Sequence, residues 1–335
     1  MQGVEISLSV VAVLVGLALL FDFMNGFHDA ANSIATIVST RVLKPQQAVI
    51  WAAVFNVIAI LVFQLKVATT IGKGTIDPSV VDHYVVFGAL IGAILWNLVT
   101  WYYGIPSSSS HALIGGLVGA AMAKSGPDSL IWAGVGKTVL FIFVSPILGF
   151  ILGAALMIAV SWMCNRASPR RVDKVFRRLQ LLSAAAYSLG HGGNDAQKTI
   201  GIIWMLLIAA GMSKSNESVP AWVIACCYLS MGLGTMFGGW RIVKTMGQRI
   251  TKLNQASGFC ANSGGAMTLF LATYLGIPVS TTHTITGAIT GVGATHGTKK
   301  VRWGVAGGIV WAWILTIPAS ALMAALAWYV GRAIL

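Results

Sequence analysis

The chain has 335 residues, 56% of them hydrophobic and only 9% Asp, Glu, Lys or Arg, against about 25% charged residues in a soluble domain. Uncharged runs at 45–65, 83–123, 138–165, 218–240, 253–298 and 303–331 each reach the ~20 residues that a bilayer-spanning helix needs. This excludes a sizeable soluble domain and assigns an all-α polytopic membrane protein in contact with the lipid bilayer. The net charge of +13 does not point to nucleic acid, because ten of the 22 Lys and Arg fall within 166–178 and 241–252. Short basic segments beside apolar spans are the positive-inside pattern. Both segments are therefore expected to be cytoplasmic, with anionic lipid at 166–178 as a secondary contact.

In chain order, the first half reads as apolar segments at 4–40, 46–65, 84–103, 107–124 and 130–162. The second reads as 180–211, 219–240, 256–275, 279–296 and 302–332. The N-terminus lacks a basic, cleavable leader, so the first segment is expected to be a retained helix. Cys164, Cys226, Cys227 and Cys260 show neither metal-ligand spacing nor a disulfide framework. Two patterns occur once in each half. Asn25-Gly-Phe-His-Asp-Ala-Ala-Asn32 is matched by His191-Gly-Gly-Asn-Asp-Ala-Gln-Lys198, with Asp29 and Asp195 separated by 166 residues. Gly104-Ile-Pro-Ser-Ser-Ser-Ser-His111 is matched 172 residues later by Gly276-Ile-Pro-Val-Ser-Thr-Thr-His283, and Ser145-Pro146 by Ile317-Pro318.

The chain thus divides into a first repeat at 1–163, a basic cytoplasmic linker at 164–178 and a second repeat at 179–335. Charge places the loop with Arg41 and Lys44 inside, whereas its counterpart at 213–218 falls outside. The repeats are therefore expected to have inverted topology, as in many secondary transporters. Each half then crosses the membrane an odd number of times, and both termini are extracellular. About 10–12 transmembrane helices are expected. The first segment of each half is expected to be interrupted by its Asp motif, and the long fifth segment to be divided at its Pro.

A polar, helix-breaking sequence within a membrane span marks a pathway or site. Pro followed by hydroxyl residues reads as the first turn of a half-helix at membrane depth. Its free N–H groups carry about half a positive charge and cradle an anion. Ser107, Ser108, Ser109 and Ser110 form one such string, and Ser280, Thr281 and Thr282 the other. The Asp motifs are the complement. Asp22, Asp29 and Asp195 lie in apolar surroundings, where a carboxylate costs about 3 kcal/mol and requires a partner: Na+, a proton, a metal ion or Lys198. Asn25, Asn32 and Asn194 offer oxygens to a cation or N–H groups to an anion. Gly26, Gly192 and Gly193 suggest local unwinding. Asp22, whose counterpart is Ser188, is placed nearer an interface. His191 is the proton-relay candidate, while His111 and His283 read as structural groups holding the first turn behind each hydroxyl string.

At these residues the chain resembles the inorganic phosphate transporter (PiT) family, over essentially its whole length and with both halves in order. Its length is similar to that of the compact bacterial members, which lack the large central loop of the eukaryotic ones. The resemblance implies secondary uptake of inorganic phosphate across a bacterial-type inner membrane, driven by H+ or Na+, with no cofactor. It also implies broken helices or re-entrant hairpins meeting at the midplane, and a homodimer. Carried onto this sequence, Asp29 and Asp195 become the paired acids of coupling, with Na+ at Asp29, Asp195 and Asn32 as one arrangement. Asn25, Asn32 and Asn194 flank them, and the two hydroxyl strings line the phosphate site.

Two positions depart from the family's repeated Asn-Asp-x-x-Asn. His28 replaces the first Asn of copy one, and Lys198 the last Asn of copy two. A fixed ammonium beside Asp195 is expected to neutralise that carboxylate or to contact phosphate directly, and it favours H+ coupling, or transport of a metal–phosphate complex, over Na+ coupling. The opposing reading has Lys198 extending to a water-filled vestibule. Arsenate is expected to compete with phosphate. A sulfate permease of the same fold is the nearest alternative, although a buried carboxylate acceptor favours phosphate, which can donate a hydrogen bond. A passive anion channel fits the acidic pair less well. The chain has no Gly-x-Ser-x-Gly elbow and no His-Glu-x-x-His helix, so it reads as a transporter, not a hydrolase or other enzyme.

Overall fold

The computed structural model describes residues 6–334. Twelve α-helices and short 3₁₀ and π turns make up most of the described residues, with one isolated bridge between Ile76 and Leu130. The first half comprises α1 (Leu8–Ser39), α2 (Pro45–Ile58), α3 (Lys66–Gly74), α4 (His83–Tyr103), α5 (Ser109–Ser125) and α6 (Trp132–Met163). The second repeats the order as α7 (Pro169–Ala209), α8 (Ala221–Phe237), α9 (Trp240–Lys244), α10 (Gln255–Tyr274), α11 (Thr281–Thr295) and α12 (Trp303–Ile334).

Helices α1, α6 and α12 have 32 residues each, about 48 Å at 1.5 Å per residue, which exceeds the ~30 Å hydrocarbon core. Pro146 and Pro318 lie inside α6 and α12 without dividing them, so the expectation of two helices in each fifth segment is not met. The basic segment 164–178 is also not an open linker. Ser168 and Pro169 start α7, whose first turns carry Arg170–Arg178, because Pro is well suited to the first helical turn. Likewise 241–252 is largely helical, formed by α9 and a π turn at Thr245–Arg249.

Helices α1 and α7 pass each other in opposite directions: Ser33 meets His191, and Thr199 meets Asp22. Both continue unbroken through their Asp motifs, contrary to the expected unwinding. The motif glycines instead admit a neighbouring backbone. A Cβ on Gly26 would stand 2.1 Å from Met231 O on α8, and one on Gly192 would stand 2.3 Å from Asn56 O on α2. The breaks fall in the next segments. The α2–α3 pair bends by 80°, and α8 bends by 62° into α9 at Gly238, whose φ is +66°.

Helices α4 and α5 form a hairpin whose open ends are joined by the Lys124–Asp82 ion pair (2.7 Å). Its tip at 104–108 reaches α1, where Thr100 and Ser107 meet His28. The α10–α11 hairpin enters from the opposite end of the bundle, and its tip reaches α7, where Asn194 bonds Thr273 and Ile277 O. These are the expected re-entrant hairpins. The long final helices are exchanged: α6 packs on α10 and α11, and α12 packs on α4 and α5.

A second exchange caps the hairpins where their inward helices stop. Lys66 on α3 donates to Tyr274 O (3.1 Å), and Thr70 donates to Gly276 O (2.7 Å). In the other half, Arg241 on α9 donates to Tyr102 O, and Thr245 donates to Gly104 O (3.0 Å). Helix C-termini leave unpaired carbonyls bearing partial negative charge, and these cations and hydroxyls satisfy them.

Charge separates the two ends. Arg41, Lys44, the six basic residues of 166–178, Lys252, Lys299, Lys300 and Arg302 gather at one end, linked by Arg177 to Arg41 O, Thr251 to Lys300 O and Arg302 N to Ile250 O. The other end mixes Lys73, Lys124 and Lys214 with Asp77, Asp82 and Glu217.

Candidate functional site

Four polar features converge between α1 and α7: both Asp motifs and both hydroxyl strings. The carboxylates of Asp29 and Asp195 and the imidazole of His191 each offer an atom within 4.8 Å of the others, although Asp29 and Asp195 stand on different halves of the chain. Asp195 is fully buried. Its Oδ2 accepts from Thr281 (2.9 Å), and its Oδ1 accepts from Ser110 (3.3 Å) and from the Lys198 ammonium. The carboxylate is thus held by the first turns of α5 and α11 together.

Lys198 does not reach a vestibule. It is buried, and beyond Asp195 its Nζ donates to Ser110 Oγ (2.5 Å) and Val279 O (2.7 Å). A carboxylate, a hydroxyl and a carbonyl around one cation form the oxygen cage that a hard metal ion prefers. Here the protein's own ammonium occupies it.

The opposite carboxylate has a different support. Asp29 Oδ1 lies 2.6 Å from His28 Nδ1, His28 Nε2 lies 3.0 Å from Thr100 Oγ1, and Ser107 Oγ donates to Thr100 (2.8 Å). All four residues are buried. The chain Asp29–His28–Thr100–Ser107 therefore ties the first Asp motif to the tip of the first hairpin. Asn194, the counterpart of His28, ties the second motif to the second tip. Its Nδ2 donates to Thr273 and Ile277 O, and its Oδ1 accepts from Val279 N. Thr100 and Thr273 carry no motif signal. Their only sequence mark is a hydroxyl three or four residues before each Gly-Ile-Pro.

The hydroxyl strings divide their work. Ser108 and Ser280 are the N-caps of α5 and α11, accepting from His111 N (3.2 Å) and His283 N (3.1 Å). Hydroxyls, not imidazoles, thus hold the first turns, contrary to expectation. The rings of His111 and His283 instead meet edge to face at 4.6 Å, and His283 stacks on Trp313 at 3.8 Å. Thr281 and Thr282 accept from Asn32 Nδ2 at 3.2 and 2.9 Å. Buried Ser109 Oγ, Asn25 Oδ1 and Asn32 Oδ1 make no hydrogen bond among the described residues. Ser109 Oγ can meet an anion, and the two amide oxygens a cation.

Asp22 is fully buried, its Oδ1 accepts from Thr199 (2.8 Å), and its Oδ2 makes no hydrogen bond among the described residues. His191 Nδ1 lies 3.4 Å from Ser33 Oγ. Its Nε2 lies 3.3 Å from Asp195 Oδ2 but off the angle that a hydrogen bond needs.

This geometry can hold an anion between two helix N-termini, with carboxylates and amide oxygens for a cation alongside. Comparison with known proteins gives the same direction. Residues 25–324 match the model of the phosphate transporter family. A probable low-affinity inorganic phosphate transporter of Rhizobium meliloti (strain 1021) is 62% identical, covering 94% of this chain and 95% of its own. One of Bacillus subtilis (strain 168) is 46% identical, covering 97% and 98%. Among solved structures, "The sodium-dependent phosphate transporter" superposes with a TM-score of 0.89 at 26% identity, covering 98% of this chain and all of that one. Its relatives are named for transport, a non-enzymatic role. With both motif pairs converging in one buried site, the chain belongs to the phosphate transporter family.

Proposed function

We propose that the protein imports inorganic phosphate by cation-coupled symport, alternating access to the site between α1 and α7. The carrying observation is the meeting of Asp29 and Asp195 beside the N-termini of α5 and α11. Phosphate lies at those N-termini, against Ser109 and the hydroxyls of Ser107, Ser110, Thr281 and Thr282. The buried cluster holds three carboxylates, Asp22, Asp29 and Asp195, against one ammonium, Lys198. An anion entering so negative a site must bring cations or protons with it, which is the physical basis of coupling. H+ is the favoured coupling ion, because Lys198 already fills the oxygen cage at Asp195 and His191 stands beside it to take a proton.

The second reading, Na+ at Asp29, Asn32 and Asp195, is favoured by the free Asn32 oxygen and by the sodium dependence in the structural neighbour's name. The opposed directions of α1 and α7 and the exchanged helices support inverted-topology repeats at 1–163 and 179–335. The basic end is cytoplasmic on the positive-inside rule, in a bacterial-type inner membrane. A homodimer, and passage of arsenate or a metal–phosphate complex, complete the reading.

The test is labelled phosphate uptake into proteoliposomes, with an inward H+ gradient at zero Na+ or an inward Na+ gradient at fixed pH, each with excess sulfate. Concentrative, sulfate-resistant uptake with H+ alone is expected. Uptake only with Na+ would move Asp29 and Asp195 to Na+ ligands. No accumulation with either ion would indicate a channel or another cargo.

A further inference from the structure

Two cavities lie beside the start of α12, one lined by Trp303 and the other by its neighbour Arg302. One is an apolar cleft of about 420 Å³ between α6, α11 and α12. Phe143, Ile147, Val310 and Ile314 line it and remain exposed on the outer face of the bundle. On α12 its lining runs from Trp303 to Ile314, about 16 Å at 1.5 Å per residue. That is roughly half of a ~30 Å hydrocarbon core, or one leaflet. At the Trp303 end, Arg302 enters a second cavity of about 630 Å³ with Lys252, Lys299, Lys300 and His296. This pocket is braced by Arg302 N bonding Ile250 O (2.9 Å) and Thr251 bonding Lys300 O (3.2 Å).

No Asp or Glu occurs anywhere after residue 217, and none of these four cations makes an ion pair among the described residues. We propose that the basic pocket and the apolar cleft are two parts of one binding site for an anionic phospholipid: the phosphate-bearing headgroup rests on Lys252, Lys299, Lys300 and Arg302, and one acyl chain descends along α12 to Trp313. Basic pockets beside apolar helices attract anionic headgroups. The cleft's length of about one leaflet and the unpaired cations next to its Trp303 end select a lipid over a soluble anion.

The deep end of the cleft has a further consequence. Trp313 lines it, stacks on His283 of one hairpin and donates from Nε1 to Pro106 O of the other (3.2 Å). The acyl chain therefore presses on the side chain that joins the two tips at the transport site.

The experiment uses the full-length protein in nanodiscs of phosphatidylcholine, doped with phosphatidylglycerol or phosphatidylcholine carrying a photoreactive acyl chain. Phosphatidylglycerol should label the 303–314 segment at least tenfold more than phosphatidylcholine. The variant K299Q/K300Q/R302Q should reduce that labelling to the phosphatidylcholine level. Gly307→Phe should abolish it by filling the cleft, since a Cβ at Gly307 meets nothing within 4 Å. Equal labelling by the two lipids in the wild type overturns the proposal, whether or not the variants fold. Displacement of the label by millimolar inorganic phosphate would overturn it in favour of a free-anion pocket. Labelling confined to monomers would overturn it in favour of a second copy covering the cleft.

Discussion

Replacing Lys198 by Asn tests the idea that the protein carries a built-in cation. In the wild type the ammonium joins Asp195, Ser110 Oγ and Val279 O, with its last two contacts at 2.5 and 2.7 Å. Removing one partner of a buried ion pair costs roughly 3–5 kcal/mol, because the other charge is stranded. The variant should lose about that much stability in a Na+-free buffer. It would also leave four oxygens around the former ammonium position: those of Asp195, Ser110, Val279 and the new amide. Hard cation–oxygen contacts are of about this length, roughly 2.3–2.6 Å for calcium. Na+ should therefore bind, and at a hundredfold over its Kd it would return about 2.7 kcal/mol. Thermal unfolding in detergent would read this as a rise in the variant's transition with NaCl but not with choline chloride. In proteoliposomes the variant's phosphate uptake should acquire a Na+ requirement that the wild type lacks. An unfolding transition indifferent to Na+, together with unchanged phosphate affinity and cation dependence, would refute the reasoning.

Asp195→Asn should abolish coupled uptake, because it removes the carboxylate joined to Thr281, Ser110 and Lys198. Wild-type rate and coupling in that variant would contradict the assigned role. Ser109→Ala removes a hydroxyl that bonds nothing among the described residues. Stability should stay within about 0.5 kcal/mol, while the phosphate KM rises about tenfold, the equivalent of one hydrogen bond to a charged group. Gly119→Ala would place a Cβ 2.0 Å from Ala321 O, whereas Gly304→Ala meets nothing within 4 Å. The first should cost roughly 1–3 kcal/mol of stability and the second should be neutral or stabilising, as read by thermal unfolding.

Much of this molecule was legible because membrane chemistry is unforgiving. Asp29, Asp195 and the two Pro-hydroxyl strings stand out in runs where a polar residue is expensive, and duplication identified them as one site. The path of the backbone was less legible. Glycines in the Asp motifs suggested unwinding, but Gly26 and Gly192 serve close packing, and the breaks lie one element later. Sequence could not foresee this because a glycine reads alike in both roles until the neighbouring helix is known. The links through Thr100 and Thr273 were also hidden, since a single threonine in an apolar helix usually bonds its own backbone. His111 and His283 do not cap for a related reason: the serines before them are already sufficient caps.

The exchange of the final helices carries a cost in time. Helix α5 rests on α12, and α11 rests on α6, so the first half cannot complete its packing while the second is still being synthesised. At about 5–20 residues per second, the α4–α5 hairpin waits tens of seconds without α12 and with Ser110 lacking its partners Asp195 and Lys198. Non-local closure of this kind slows folding, and it makes the waiting hairpin the segment most exposed to quality control. A ribosome stalled before α12 should leave a chain that inserts but remains open to protease at 104–111, whereas release of the full chain should close that window in a single step.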